Sequence, residues 1–223
     1  MKVVWCACIS MVLMACQGNT QEKVQVKSSI DSVSYAIGID IGRNLKKQSI
    51  EITPAILAQG IRDAADSGKA LLTDEQCQAV MMSFQHNMVA KELEKNKKIG
   101  EAFLAQNKTK EGVVTTASGL QYKIMTAGKG PKPDSTQTVT FNYRGTLVDG
   151  VEVDNSYKRG QPLTYRMNAL MKGWIEALEM MPVGSKWEVY IPSSLAYGEA
   201  GAGGGAIPPG STLIFELELL AIK

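Results

Sequence analysis

Residues 139–145 read VTFNYRG, and this stretch decides how the second half of the chain is built. Val139, Phe141 and Tyr143 alternate with Thr140, Asn142 and Arg144. A period of two puts one row of side chains in a core and the other toward water. The period recurs three times: at Leu120, Tyr122 and Ile124; at Trp187, Val189 and Ile191; and at Leu213, Phe215, Leu217 and Leu219. That makes four clear half-buried strands. One short helix interrupts them, with Leu170, Trp174, Leu178 and Met181 on one face and Pro182-Val183-Gly184 to stop it. A twisted antiparallel sheet wrapping one helix follows.

Before Lys110 the period is helical, so the class is α+β. Val33, Ile37, Ile41 and Leu45 repeat at i, i+4 from Ser32 onward and make one apolar face. Thr53-Pro54 starts a second helix, because Thr can cap and Pro suits the first turn. Leu57, Ile61 and Ala64 continue a buried face, and Gly68 can end that helix. Thr73 and Gln76 have capping-box spacing. They open a long helix with Val80, Met81, Phe84 and Met88 expected inward, and Cys77 expected as a buried small hydrophobe. Residues 91–110 are mostly charged and read as a solvated helix reaching toward the next domain, with Glu94 and Lys98 at favourable spacing.

The first residues have a different purpose. Lys2 and the apolar run Val3 to Ala15 read as an export signal, too short to span a bilayer, which takes about 20 apolar residues. Leu13-Met14-Ala15-Cys16 resembles a bacterial lipobox, which implies lipid on Cys16 and a membrane anchor. Residues 17–29 are polar and read as a flexible tether. Cys6 and Cys8 leave with the signal and Cys16 carries lipid, so Cys77 alone remains and no internal disulfide can form. Of 24 Lys+Arg, removal of Lys2 leaves 23 against 22 Asp+Glu. That balance argues against a nucleic-acid partner, which would demand a basic patch. A mean hydropathy of −0.08 fits a soluble body.

The second half also carries an ordered set of pocket residues: Tyr143 in VTFNYRG, Asp154 in DGVEVDNS, Trp174 in MKGWIEAL, Tyr197 in LAYGEAG, Ile207-Pro208-Pro209, and Phe215 in STLIFELELL. They combine aromatic and aliphatic side chains with one carboxylate. No nucleophile, base and orienter accompany them, and no metal-ligand cluster or cofactor motif does. GAGGG (201–205) lacks the Lys-Ser/Thr of a phosphate loop and reads instead as a mobile flap. His86 stands alone on the long helix as a solvated or interface residue.

The order and wording of these segments resemble the FKBP-type peptidyl-prolyl cis-trans isomerases of the Mip/FkpA kind. The resemblance implies an α+β protein. A helical dimerisation domain (30–90) and a charged linker helix (91–112) precede the isomerase domain (113–223), after a signal peptide (1–15) and a lipidated tether (16–29). It implies proline-containing polypeptides as substrates and a homodimer through the N-terminal helices, to which a monomeric helical cap packed on the second domain is the alternative. It makes Trp174 the floor under the proline ring, Tyr143 and Phe215 aromatic walls, and Ile207 and Tyr197 a border, with the Tyr197 hydroxyl donating to a substrate carbonyl. Asp154 orients neighbouring polar groups or faces the strained carbonyl. Val153, Leu163, Tyr165, Leu170 and Met171 join the substrate contacts, Met171 through its backbone N–H.

The chain departs from the family pattern at four positions. Val153 stands where a Phe is usual, as do Leu163 and Tyr165, and Met171 replaces Ile. Val153 removes a ring from the wall, which predicts reduced turnover and weaker binding of macrolides such as FK506. These departures keep two other readings in play: a non-catalytic dimeric folding chaperone that uses the pocket as a binding surface, and a small-ligand-binding lipoprotein.

Overall fold

The computed structural model describes residues 25–66 and 70–223. The export signal, the Cys16 lipidation site and the Gly68 helix stop lie outside the described residues. The chain divides into two units, one ending at Leu71 and one running from Leu72 to Lys223.

The first unit holds two helices, α1 (Ser29–Lys47) and α2 (Pro54–Ala65). α1 begins three residues before the apolar period does, because Ser28 and Asp31 close a capping box. Asp31 N–H donates to Ser28 Oγ at 3.1 Å, and Ser28 N–H donates to Asp31 Oδ2 at 2.9 Å. Pro54 occupies the first turn of α2, and Thr53 caps it without a side-chain bond. Neither helix has a buried residue. The apolar faces expected to be buried are open to solvent: Val33, Ile37 and Ile41 on α1, Leu57 and Ile61 on α2.

The second unit opens with α3 (Asp74–Asn107), a single 34-residue helix started by the Thr73–Gln76 capping box. Its two halves differ. In the first half Val80, Met81 and Phe84 are exposed rather than inward, and Cys77 is exposed rather than buried. The second half corrects the expectation of a solvated helix. Leu93, Asn96, Lys97, Gly100, Phe103, Leu104 and Asn107 are its half-buried or buried positions. Their spacing of three and four lays them on one face, and that face packs on the sheet.

The sheet has seven antiparallel strands. Three follow the period-two pattern in their burial, β3 (Thr138–Leu147), β6 (Lys186–Ile191) and β7 (Leu213–Ile222); β2 (Gln121–Thr126) forms where the period predicts a strand but buries Gln121 against α3 and leaves Ile124 exposed. The other three are too short to set up a period: β1 (Val113–Thr115), β4 (Glu152–Asn155) and β5 (Leu163–Arg166). The order is β1-β2-β6-β7-β3-β4, with β5 also on β3. The outer edge of β3 is therefore shared. β5 covers Thr138–Phe141 and β4 covers Arg144–Thr146, leaving Tyr143 opposite the gap between them.

α4 (Lys172–Met180) lies in the hollow of this sheet and buries Gly173, Trp174, Ala177 and Leu178. The core beneath it comes from the inward rows of β3, β6 and β7: Val139, Phe141 and Tyr143; Trp187, Val189 and Ile191; Leu213 through Leu219 at every second residue. Each large apolar side chain buried this way contributes about 1.5–3 kcal/mol. The outward row carries polar pairs such as Lys186–Glu216 at 2.8 Å between β6 and β7, together with Tyr190, which is buried against α3.

Candidate active site

The gap on the edge of β3 is where the site begins. Ser156 fills it from the end of β4, fully buried. Its N–H donates to the Tyr143 carbonyl at 2.9 Å, and its hydroxyl accepts from Tyr143 N–H at 2.8 Å. A single small residue thus supplies the backbone bonds that a missing strand would have made.

Tyr143 then enters an aromatic cluster with Trp174 and Phe215. The Tyr143 and Trp174 ring centroids are 4.8 Å apart, and Trp174 and Phe215 meet edge to face at 5.0 Å. Phe141 is a fourth member, 5.2 Å from Trp174. Such geometry adds about 0.5–1.5 kcal/mol per pair beyond area burial. Gly145 makes room for it, because a Cβ there would overlap the Phe215 ring. All three predicted aromatics are buried.

Above this cluster lies an open cleft of about 460 Å³. Leu163 and Tyr165 from β5, Ala169, Leu170 and Met171 from the approach to α4, Trp174, and Ala196 and Tyr197 line it. Trp174 is shared between cluster and cleft. Tyr143 and Phe215 support it from below and do not line it. Ala169 and Ala196 contribute lining that no motif signalled. The Met171 backbone N–H precedes α4 and makes no hydrogen bond among the described residues.

One rim carries the charge. Tyr143 Oη donates to Asp154 Oδ2 at 2.5 Å, and Asn155 N–H donates to Asp154 Oδ1 at 2.7 Å. Arg159 completes the group. It pairs with Asp154, donates to Tyr143 Oη at 2.6 Å, and sets its guanidinium 5.2 Å from the Tyr143 ring centroid. Partial burial pushes the Asp154 carboxyl up. The hydrogen bonds from Tyr143 and Asn155 and the charge of Arg159 outweigh it and leave the group below its ordinary value. Burial raises the Tyr143 hydroxyl, and its bond to Asp154 raises it further against the pull of Arg159. Burial also raises Tyr197, with the Asp154 charge adding to it. At neutral pH the rim therefore holds a carboxylate, a guanidinium and two protonated phenols. Arg159 carried no signal in the sequence, because only the fold of the 155–163 segment returns it to Asp154.

Val153 is half-buried on β4. The β3–β4 register slips between Gly145 opposite Asp154 and Thr146 opposite Glu152, so Val153 is the unpaired residue of a bulge. Bulges recur beside functional sites because they re-aim a strand. Ile207 is half-buried at the base of the glycine-rich loop, where it pairs with Ala202 through N–H···O bonds of 2.9 and 3.0 Å. His86 is exposed on α3. Among the described residues no three His, Cys, Asp or Glu side chains gather to hold a metal ion, and no helix is long and apolar enough to cross a membrane.

Comparisons with known proteins bear on this geometry. The family described as the domain amino terminal to FKBP-type peptidyl-prolyl isomerase matches residues 30–124, and the FKBP-type peptidyl-prolyl cis-trans isomerase family matches residues 130–220. The chain is 42% identical to the outer membrane protein MIP of Legionella longbeachae, over 100% of this chain and 98% of the relative. It is 37% identical to the FKBP-type peptidyl-prolyl cis-trans isomerase FkpA of Aeromonas hydrophila, over 97% and 92%. The crystal structure of FkpA from Escherichia coli superposes with a TM-score of 0.69 at 35% identity, covering 89% of this chain and 99% of that one. A peptidyl-prolyl cis-trans isomerase from Pseudomonas syringae superposes with a TM-score of 0.55 at 42% identity, over 58% and 95%.

Proposed function

Because this chain belongs to the FKBP-type peptidyl-prolyl cis-trans isomerase family, rotation about X–Pro bonds is its chemistry, and we propose that the cleft over Trp174 is where that rotation takes place. The observation that carries the proposal is the cleft itself, an apolar trough floored by an indole and edged by phenol donors. The planar amide has a rotational barrier of about 18–20 kcal/mol, sustained by resonance that places negative charge on oxygen. Twisting the C–N bond removes that charge separation. An apolar site disfavours the planar form more than the twisted one, and burial of the proline ring supplies binding. X–Pro bonds otherwise exchange over tens to hundreds of seconds, slowly enough to limit folding.

In this scheme the proline ring stands on Trp174 between Leu163, Tyr165, Leu170 and Met171. The Tyr197 hydroxyl and the Met171 N–H donate to carbonyls on either side of the rotating bond. Asp154 is a positioning residue. Its oxygens are engaged by Tyr143, Asn155 and Arg159, which suits holding the rim together better than attacking a carbonyl. Val153 and Ile207 lie outside the residues that line the cleft, and Phe215 and Tyr143 support the indole.

The exposed apolar faces of α1 and α2 support a second part of the proposal, a homodimer in which a second copy covers them. The sequence before Ser28 supports a third, an envelope protein held at a membrane by lipid on Cys16, whose clients are exported polypeptides. Cys16→Ser is expected to move the protein from the membrane to the soluble fraction. The function is tested by proline-limited refolding with the mature chain beside Asp154→Ala and Tyr197→Phe. Acceleration that falls by about tenfold or more in the variants supports the cleft as the catalytic site. No acceleration by the parent would leave it a binding surface, and the chaperone reading would take its place.

A further inference from the structure

The second half of α3 is fixed at its lower end and free to act at its upper one. Asn107 is fully buried and donates from Nδ2 to Gln121 Oε1 at 3.0 Å, and Gln121 Nε2 donates back to the Leu104 carbonyl at 2.9 Å. Phe103 leans on Tyr190, with ring centroids 5.9 Å apart. Above this anchor, α3 meets the segment 199–212, which follows Tyr197. Asn96 Nδ2 donates to the Pro209 carbonyl at 2.9 Å, and Lys97 Nζ donates to Glu199 Oε1 at 2.7 Å. Gly210, at φ +72°, lets the segment close on the helix, since a Cβ there would fall 2.8 Å from Leu93 Cδ1 and 2.9 Å from the Leu93 carbonyl oxygen.

The same segment carries Ile207 and starts one residue after the Tyr197–Gly198 corner. Its internal backbone pairing is slight. Ala202 pairs with Ile207, and Gly210 N–H reaches the Gly198 carbonyl. Glycines at 198, 201, 203, 204, 205 and 210 all have positive φ. A loop so rich in glycine has much conformational entropy to lose, so anchors from outside it matter.

We propose that Asn96 and Lys97 are positioning residues for the isomerase: they hold the loop that follows Tyr197 and so keep Tyr197 in place on the proline cleft. The proposal rests on the reading of the cleft given above. α3 is then part of the substrate site's scaffold. Loss of either anchor leaves the loop to be ordered when substrate binds. That cost falls on ground state and transition state alike, so it raises KM and spares kcat.

The test uses the full mature protein and a proline tetrapeptide, with Asn96→Ala, Lys97→Glu, the double swap Lys97→Glu/Glu199→Lys, and Tyr197→Phe. Asn96→Ala is expected to raise KM about threefold to fivefold with kcat within about twofold, the scale of one part-buried hydrogen bond. Lys97→Glu is expected to raise KM about twofold to threefold, less at high salt, and the double swap to restore it. Melting temperatures are expected to stay at the parent value in all four. Unchanged KM in the α3 variants, while Tyr197→Phe loses activity, would overturn the positioning role and leave the cleft reading intact. A fall in kcat that tracks a fall in melting temperature would also overturn it, as a structural effect alone. An inactive parent, or a silent Tyr197→Phe, would remove the cleft reading and this inference with it.

Discussion

α1 and β7 both carry a clean apolar period, and they come to opposite ends. In β7 the inward residues Leu213, Phe215, Leu217 and Leu219 are all buried under α4 and the neighbouring strands. In α1 the matching residues Val33, Ile37 and Ile41 are 53%, 55% and 36% exposed. An apolar stripe states that a face will be covered; it does not state by what. Where strands of the same chain supply the cover, the stripe encodes a core. In α1 and α2 the same stripe is exposed, and it is this face that the proposed homodimer would cover. α3 contains both cases in one helix, with Val80 and Met81 exposed in its first half and Gly100 and Asn107 buried in its second.

The comparison breaks hardest at Trp174. Truncation to Ala removes a side chain packed on Phe141, Tyr143 and Phe215. A cost of about 3–5 kcal/mol to the unfolding of the sheet unit is expected, with loss of isomerase activity. Chemical denaturation followed by near-ultraviolet circular dichroism measures it. On the helical side, Ile37→Asp with Ile41→Asp should leave that unfolding transition alone. It should weaken self-association by about a hundredfold, since a charge then faces any covering surface. Sedimentation velocity separates the outcomes. A variant that remained dimeric would mean the α1 face is covered by something other than its own copy.

The same contrast explains what was legible. The places of the four longer strands, of α4 and of the helix starts at Thr53 and Thr73 follow from period and cap residues, which are local, although Thr53 makes no side-chain cap bond and β2 is not buried as its period predicts. β1, β4 and β5 have three or four residues each, too few to repeat. The aromatics Tyr143, Trp174 and Phe215 converge because each sits on an inward position of a periodic element. Ser156 and Arg159 were illegible for the opposite reason. Both act from an irregular segment, and only the shared edge of β3 carries them to Tyr143 and Asp154. The docked stripe of α3 was hidden because Asn96, Lys97 and Gly100 are not apolar. They meet the loop by hydrogen bond, charge and absence of a side chain, none of which a hydrophobic pattern records.

A smaller effect, in pH, sharpens the contrast within the sheet unit between its core and its charged edge. Bonds from Lys158 and Arg144, then Asn155, hold Glu152 down from 4.5 to about 2. Asp154 is also below its ordinary value: burial opposes the shift, and Tyr143, Asn155 and Arg159 prevail. A carboxyl depressed in the folded state stabilises the fold above its unfolded value. It loses that contribution as pH falls through the folded one. Stability of the sheet unit is therefore expected to decline from about pH 5 toward pH 2. Glu152→Gln should flatten the decline, and high salt should do the same in the parent, because this pair network is at the surface. Denaturant midpoints across that range measure it. An unchanged slope in Glu152→Gln would assign the acid sensitivity to other carboxyls.

The smallest expected effect concerns the bulge. Val153 is unpaired against β3, immediately before the carboxylate that Tyr143 and Arg159 hold. If the missing ring weakens the wall, Val153→Phe supplies a contact worth about 0.5–1.5 kcal/mol, or roughly twofold to tenfold in kcat/KM and in macrolide affinity. The bulge geometry should tolerate the larger side chain, since no ladder partner faces it and the strand is already bent there. A gain in macrolide affinity without a gain in turnover would place residue 153 on the cleft wall but outside the path of the rotating bond. No change in either would detach the bulge from substrate altogether and leave its role as setting the angle at which β4 delivers Asp154 to the rim.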